Sequence, residues 1–291
     1  MKKPVVLDFD DSVGAIDQAK RIELSSWQDK IRFAASWKNF DALGQLLERE
    51  LPGEYGPIFM GSGDYHHITY YLLARLKSVI KKQSLTLVVI DNHPDNMRYP
   101  FGIHCGSWVS RAAALPFIKH VHVVGITSGD IGLTHAVENR WAPLIHGRLT
   151  YWSTRVKVGW AHKIGLKNAF RSFDTIDDLI SSFLSAQYRE RAPVYLSIDK
   201  DALAPSCVRT NWDQGLMETR HIRDLIIHLG PRLIGCDITG DVSLFKYKNR
   251  WKRLMSLLDG QQTMTPLELT DWQQDQHKCN LHLLSLLEKF F

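Results

Sequence analysis

The stretch SLTLVVIDNHPDNM at residues 84–97 constrains this chain more than any other. Leu85, Leu87, Val88, Val89 and Ile90 form an apolar run rich in β-branched residues, as expected of a strand covered on both faces in a parallel sheet. Parallel sheets bind ligands just beyond the carboxyl ends of their strands, which is where Asp91, His93 and Asp95 fall. A D-x-H-x-D triplet leaving a strand can aim three side chains at one point. Two carboxylates and an imidazole suit a divalent cation such as manganese, with zinc or iron less favoured by the carboxylate excess. Alone, the triplet equally fits a polar loop whose Asp and His residues cap the next turn, so a second cluster must decide.

That cluster is APVYLSIDKDALAPS, where Val194 to Ile198 reads as a strand and Asp199 and Asp201 leave its end two residues apart. Upstream, Pro57 to Met60 reads as a strand, followed by a glycine-rich turn and a long helix beginning near HHITYYLL. His66 and His67 then stand at the helix entrance, from which an imidazole can reach over the sheet's carboxyl edge. Two acidic strand ends and an upstream histidine coincide by chance far less readily than any one of them. A metal site is therefore expected.

The remaining sequence sets bounds. With 291 residues, 44% apolar and 23% charged, the chain has an ordinary globular composition, and no apolar run approaches the ~18 residues of a membrane span. The start, MKKPVVLDFDD, turns acidic too early for a signal peptide, so a cytoplasmic protein is expected. Cys105, Cys207, Cys236 and Cys279 are widely spaced and form no C-x-x-C pair, which argues against a disulfide framework or a zinc ribbon. No linker or repeat divides the chain. It reads as a single α/β domain over residues 1–291, with helices at 41–50, 106–115, 175–187 and 220–229, strands at 120–126 and 233–237, and C-terminal helices at 250–258 and 271–290.

Two further features carry rival readings. Asp8, Asp10 and Ser12 fit the D-x-D-x-[ST] pattern of a phosphotransfer nucleophile, but no later lysine completes that constellation, and a capped first strand explains them as well. Between Asn139 and Phe173, Arg140, Arg148, Arg155, Lys157, Lys163, Lys167 and Arg171 are interleaved with Trp141, Trp152 and Trp160, without one Asp or Glu. Such a segment can bind an acidic partner, although a solvated face over buried tryptophans is the commoner explanation. No nucleic-acid or membrane partner is expected, and a homo-oligomer is compatible with the sequence.

DYHHITY, DNHPD and SIDKDALAPS together resemble the arginase or ureohydrolase superfamily, whose site is built from G-G-D-H, D-A-H-x-D and S-x-D-x-D-x-x-D-P in this order. The resemblance covers roughly residues 56–245. It implies a three-layer αβα fold with a mainly parallel sheet and two Mn2+ per chain, held by His66 (or His67), Asp91, His93, Asp95, Asp199 and Asp201. It also implies a metal-activated hydroxide attacking a guanidinium carbon. Asp201 would orient the hydroxide and move a proton, and His104, in HCG where the family has H-G, would shuttle protons. Asp130, in TSGD at a strand end, is a candidate substrate contact.

Departures from the family bear on the substrate. The loop before His104 reads PFGIH and lacks the Ser and Asn that hold a free α-carboxylate. The family's D-x-x-E, which supplies a glutamate to the guanidinium, is replaced by DITGD, where Asp241 would take over the catalytic and substrate-binding role. A buried, unpaired carboxylate is costly, so a guanidino compound other than free arginine is expected. Arginine within a peptide, converted to ornithine with release of urea, is one form of it. A zinc-dependent deacylase of the histone-deacetylase-like branch, supported by the adjacent histidines, and a non-catalytic metal-binding descendant are the alternatives.

Overall fold

The computed structural model describes residues 2–80, 84–248, 252–253 and 264–291. Eleven strands are present among them: β1 (Val5–Asp8), β2 (Lys20–Glu23), β3 (Ala34–Ala35), β4 (Ile58–Phe59), β5 (Leu85–Ile90), β6 (Ile103–His104), β7 (Ile118–Ile126), β8 (Leu149–Thr154), β9 (Phe170–Phe173), β10 (Val194–Asp199) and β11 (Leu233–Thr239). β3 and β6 make a small antiparallel ribbon. The others form one nine-stranded sheet in the order β2-β1-β4-β11-β10-β5-β7-β8-β9, with all neighbours parallel.

This is a three-layer αβα arrangement. Apolar residues of β5 and β10 are buried without exception, because helices cover both faces. Trp37–Glu50, Ile68–Arg75 and Val109–Ala114 pack one face, contributing Phe40, Leu43, Leu72 and Val109 to one core cluster. Ile176–Gln187, Thr219–Leu229 and Pro266–Leu287 pack the other, contributing Phe183, Leu225 and Leu283 to a second. Among the described residues no helix is long and apolar enough to cross a membrane.

The strand order places the site. From β5 the chain moves outward to β7, β8 and β9, whereas from β10 it moves the opposite way to β11. The carboxyl ends of adjacent β5 and β10 thus flank a crevice where the connections diverge, the position at which open parallel sheets hold ligands.

The structure departs from the sequence reading in two places. The basic segment contains β8 and β9, which were not anticipated: LTYWST is flanked by cations, and FRSF is an edge strand with two exposed residues. Trp152 is buried in the core, while Trp141 and Trp160 donate their indole N–H groups to Ala136 O and Ile131 O, so the tryptophans face inward. The long helix after the histidines is interrupted at Leu76 and resumes over Lys77–Ile80. The helix expected at 250–258 lies outside the described residues except for Lys252 and Arg253.

Candidate metal centre

β5 ends at Ile90 and β10 at Asp199, and their registered pairing brings Asp91 beside Asp199. Short turns then aim the following residues. Asp91 Oδ1 accepts from His93 N at 2.6 Å, Asp199 Oδ1 accepts from Asp201 N at 3.1 Å, and Asp201 Oδ1 accepts from Asn92 N at 3.1 Å. Asp95 adopts a positive φ of 45°, a conformation costly for a residue with a side chain. Its Oδ2 accepts from Trp108 Nε1 at 2.7 Å, which holds the carboxylate toward the crevice.

Two groups of three ligand-type side chains result, His66–Asp91–Asp199 and Asp91–His93–Asp201, each with donor atoms within 4.8 Å of one another. Asp91 belongs to both and is placed to bridge them. Asp95 adjoins the first group, its Oδ2 lying 3.0 Å from His66 Nδ1. The structure thus brings together all six residues expected as ligands. It also distinguishes the adjacent histidines, because His67 packs its ring 5.9 Å from Phe40, away from the acids. The histidine pair that a zinc deacylase would use is not assembled.

The tautomer of His66 follows from donor counting. Tyr195 OH and Ser197 Oγ donate to the two oxygens of Asp237 at 2.7 and 2.6 Å. Ser197 has only one proton to give, so at 2.9 Å it accepts from His66 Nε2. Nδ1 is thereby left pointing at Asp91, Asp95 and Asp199, with an available lone pair once the ring is neutral. Ser197 and Asp237 are functional residues that the sequence reading did not single out, although both lie on strands it recognised, directly across from one another in the ladder.

Electrostatics show what the cluster lacks. Burial alone would lower the pKa values of His66 and His93, but Asp91 and Asp95 outweigh it for the first, and Asp201 and Asp213 for the second, raising both well above the usual histidine range. Burial followed by repulsion from neighbouring carboxylates raises Asp95, Asp199 and Asp201. Four carboxylates therefore share two imidazoles in a buried space, and Asp91 Oδ2 is buried with no hydrogen-bond donor. Such a set fits divalent cations, which would supply the missing positive charge and occupy the open lone pairs.

A cavity of about 530 Å³ opens above this cluster. His104 lines it. Burial and then the Lys252 ammonium push its pKa down to about 3, so the ring is neutral; Nδ1 accepts from Gly106 N, while Nε2 is buried without a partner. Asp130 lies on the outer wall, where Ser128 Oγ donates to it at 3.0 Å.

Asp241 is not among these residues. It is buried with Lys200, Nζ to Oδ1 2.5 Å, and accepts from Asn280 Nδ2 at 2.9 Å. The expectation that it replaces the family's guanidinium-binding glutamate does not match this placement. Its side chain turns into the core because Gly240, at φ 91°, reverses the chain. A Cβ on Gly240 itself would collide with Asp199 Oδ1 and come within 2.7 Å of Lys200 N, so the position just after β11 has no room for a side chain. Asp8 and Asp10 are likewise committed elsewhere, to Arg21 at 2.6 Å and to buried Arg32 at 3.4 Å, which gives the D-x-D-x-S pattern a structural explanation.

Another feature escaped the sequence reading. Trp212 and Asp213 line the cavity from the loop after β10, and Asp213 Oδ1 lies 2.6 Å from His93 Nε2. The only signal was the N-W-D-Q-G turn itself.

With this geometry in view, comparisons with known proteins agree. The family model of the arginase family matches residues 38–240. An uncharacterized protein of Thermotoga maritima is 28% identical over 242 residues, covering 83% of this chain and 71% of its own. Among solved structures, proclavaminate amidino hydrolase from Streptomyces clavuligerus aligns with a TM-score of 0.53 at 15% identity, covering 95% of this chain and 93% of that one. The agmatine ureohydrolase of Thermoplasma volcanium gives 0.51 at 16% identity, with 97% and 92% covered. Arginase from Bacillus caldovelox gives 0.50 at 16%, with 91% and 100% covered.

Proposed function

Because this chain belongs to the arginase family, we propose that it is a hydrolase of guanidino-type C–N bonds that works with two manganese ions and takes substrates other than free arginine. One group of ligands would be His66, Asp91, Asp95 and Asp199, and the other Asp91, His93 and Asp201. Cations held there would supply Lewis-acid activation of water near neutral pH.

The observation that carries the substrate reading is the charge of the cavity wall. Seven carboxylates line it, and among the described lining residues there is no Lys or Arg. Two of its neutral polar donors are already used: Ser128 Oγ donates to Asp130, and Asn139 Nδ2 donates to Asp130 O. Beyond the metal ligands, a substrate carboxylate would meet Asp130, Glu138 and Asp213 and no Lys or Arg among the described lining residues, and would lose its hydration. A guanidinium is favoured by Asp130, Glu138 and Asp213, the acids outside the ligand set. An arginine side chain within a peptide satisfies both conditions, since its α-carboxylate is bound in an amide.

This chain's own groups then have definable tasks. Asp201 accepts a proton within the cluster and returns it to the leaving nitrogen, while His104, kept neutral by burial and with its Nδ1 accepting from Gly106 N, holds its one proton on Nε2 as a hydrogen-bond donor.

The test is mass spectrometry of arginine-containing peptides incubated with manganese-loaded protein. Conversion to ornithine, a mass loss equal to urea less water, is expected. Turnover of free arginine or agmatine with no such loss on any peptide would refute the peptide reading.

A further inference from the structure

The two histidines of the cluster differ in what holds them. His66 is fixed through Nε2 by Ser197, a residue of a central strand. His93 has no strand residue behind it, and its Nε2 meets instead the Oδ1 of Asp213 at 2.6 Å. We infer that Asp213 is the positioning residue for His93: its Oδ1 accepts a hydrogen bond from Nε2–H and so directs the Nδ1 lone pair toward Asp91 and Asp201, where a cation would be shared.

Three observations separate this from a chance surface ion pair. The first is the loop that carries Asp213. Gly215 N donates to Asp201 O at 2.7 Å, Gln214 Nε2 donates to Leu203 O and Val208 O at 2.9 and 2.8 Å, and Thr210 Oγ1 donates to Trp212 O at 3.1 Å. The loop is thereby tied directly to the backbone of a ligand residue. Gly215 is required there, because a Cβ would lie 2.5 Å from Ala202 O.

The second is Asn92, whose hydrogen-bonding capacity is spent on the same end. Its N–H donates to Asp201 and its Nδ2 donates to both Asp213 O and Asp213 Oδ2 at 3.1 Å, while its Oδ1 accepts from Thr127 N and Oγ1. Asp213 is therefore held on one side while it holds His93 on the other. The third is orientation: His93 Nδ1 lies 3.0 Å from Asp201 Oδ2 and 3.6 Å from Asp91 Oδ1, so the outward nitrogen is the one that Asp213 contacts. A carboxylate on the outer nitrogen of a ligating imidazole fixes the tautomer and raises ligand basicity, and its loss typically weakens metal binding about 10–100-fold.

The inference rests on the metal-site reading but not on the substrate. Asp213→Ala and Asp213→Asn, with an exposed side chain removed or neutralised, are compared with the unaltered chain by calorimetric titration of the metal-free protein with Mn2+, and by electron paramagnetic resonance of the loaded forms. Asp213→Ala is expected to weaken one of two binding steps by about 10–100-fold and to lose the spin-coupled signal at limiting metal. The other step and the unfolding temperature of the metal-free protein are expected to stay unchanged. Asp213→Asn, which keeps a neutral acceptor, is expected to fall between. Two unchanged steps, or a tightened step, would overturn the inference, because Asp213 would then only pair with protonated His93 in the absence of metal. Equal weakening of both steps with a lowered unfolding temperature would overturn it too. None of these readouts depends on finding the substrate.

Discussion

The two ends of the same parallel strands both offer a cavity and a pair of histidines, and they could hardly be more different. At the amino ends of β7 and β8 lies a cavity of similar size, about 570 Å³, lined by His120 and His122. Their rings are 4.3 Å apart, and their nitrogens are occupied: Thr150 Oγ1 lies 3.0 Å from His120 Nε2, Trp152 Nε1 donates to His122 Nδ1 at 3.2 Å, and the Gln187 amide lies 3.1 Å from His122 Nε2. Burial lowers the pKa of each. At the carboxyl ends of β5 and β10 the histidines are pushed the other way by surrounding carboxylates. Cavity size and histidine count therefore do not mark the functional end. Buried carboxylates that outnumber their histidine partners do.

The comparison can be broken most severely at Asp91, which belongs to both ligand groups. Asp91→Asn should abolish metal binding and reduce hydrolysis to background while circular dichroism stays native; retained metal, measured by elemental analysis, would contradict the bridging placement. His104→Ala should lower kcat about tenfold, as expected for loss of one hydrogen-bond donor, with metal content unchanged. At Asp241 the account expects a fold defect. Asp241→Asn leaves the Lys200 ammonium buried without its counterion, which costs about 3–5 kcal/mol, visible in urea unfolding. The variant that remains folded should bind as much metal as the unaltered chain.

The smallest effect is at the amino end. The folded His122 has a pKa well below the ~6.5 of an unfolded histidine. In that window the unfolded chain binds the proton and the folded chain does not, so stability is full above about pH 6.5 and is lost as pH falls below it. His122→Asn removes this proton uptake. Its unfolding free energy should decline less steeply from pH 6.5 downward than that of the unaltered chain, and an identical slope would show that His122 is not held neutral.

How much of this was legible in the sequence depended on whether a residue acts locally. The expected ligands leave strand ends within a few residues of an apolar run, so D-x-H-x-D and D-x-D marked five of them, and the sixth, a histidine at a helix entrance, was left between His66 and His67 until the structure separated the two. The parallel sheet was legible from the same apolar runs. β8 and β9 were hidden because the polar residues of LTYWST, all buried, break up its apolar run, and because FRSF is an edge strand with two exposed residues, one of them a cation. Asp241 misled because its neighbour Gly240 reverses the chain, and no side-chain pattern reports a φ of 91°. Asp213 was invisible for the opposite reason: nothing local distinguishes it, and its partner His93 lies on another strand's end.

The central claim is that the crevice between β5 and β10 holds two cations. Crystals grown with manganese and measured at its absorption edge test it most directly. Two anomalous peaks are predicted in the crevice, one against His66 and Asp199, the other against His93 and Asp201, with Asp91 between them. Peaks elsewhere, or none at saturating manganese, would contradict the account.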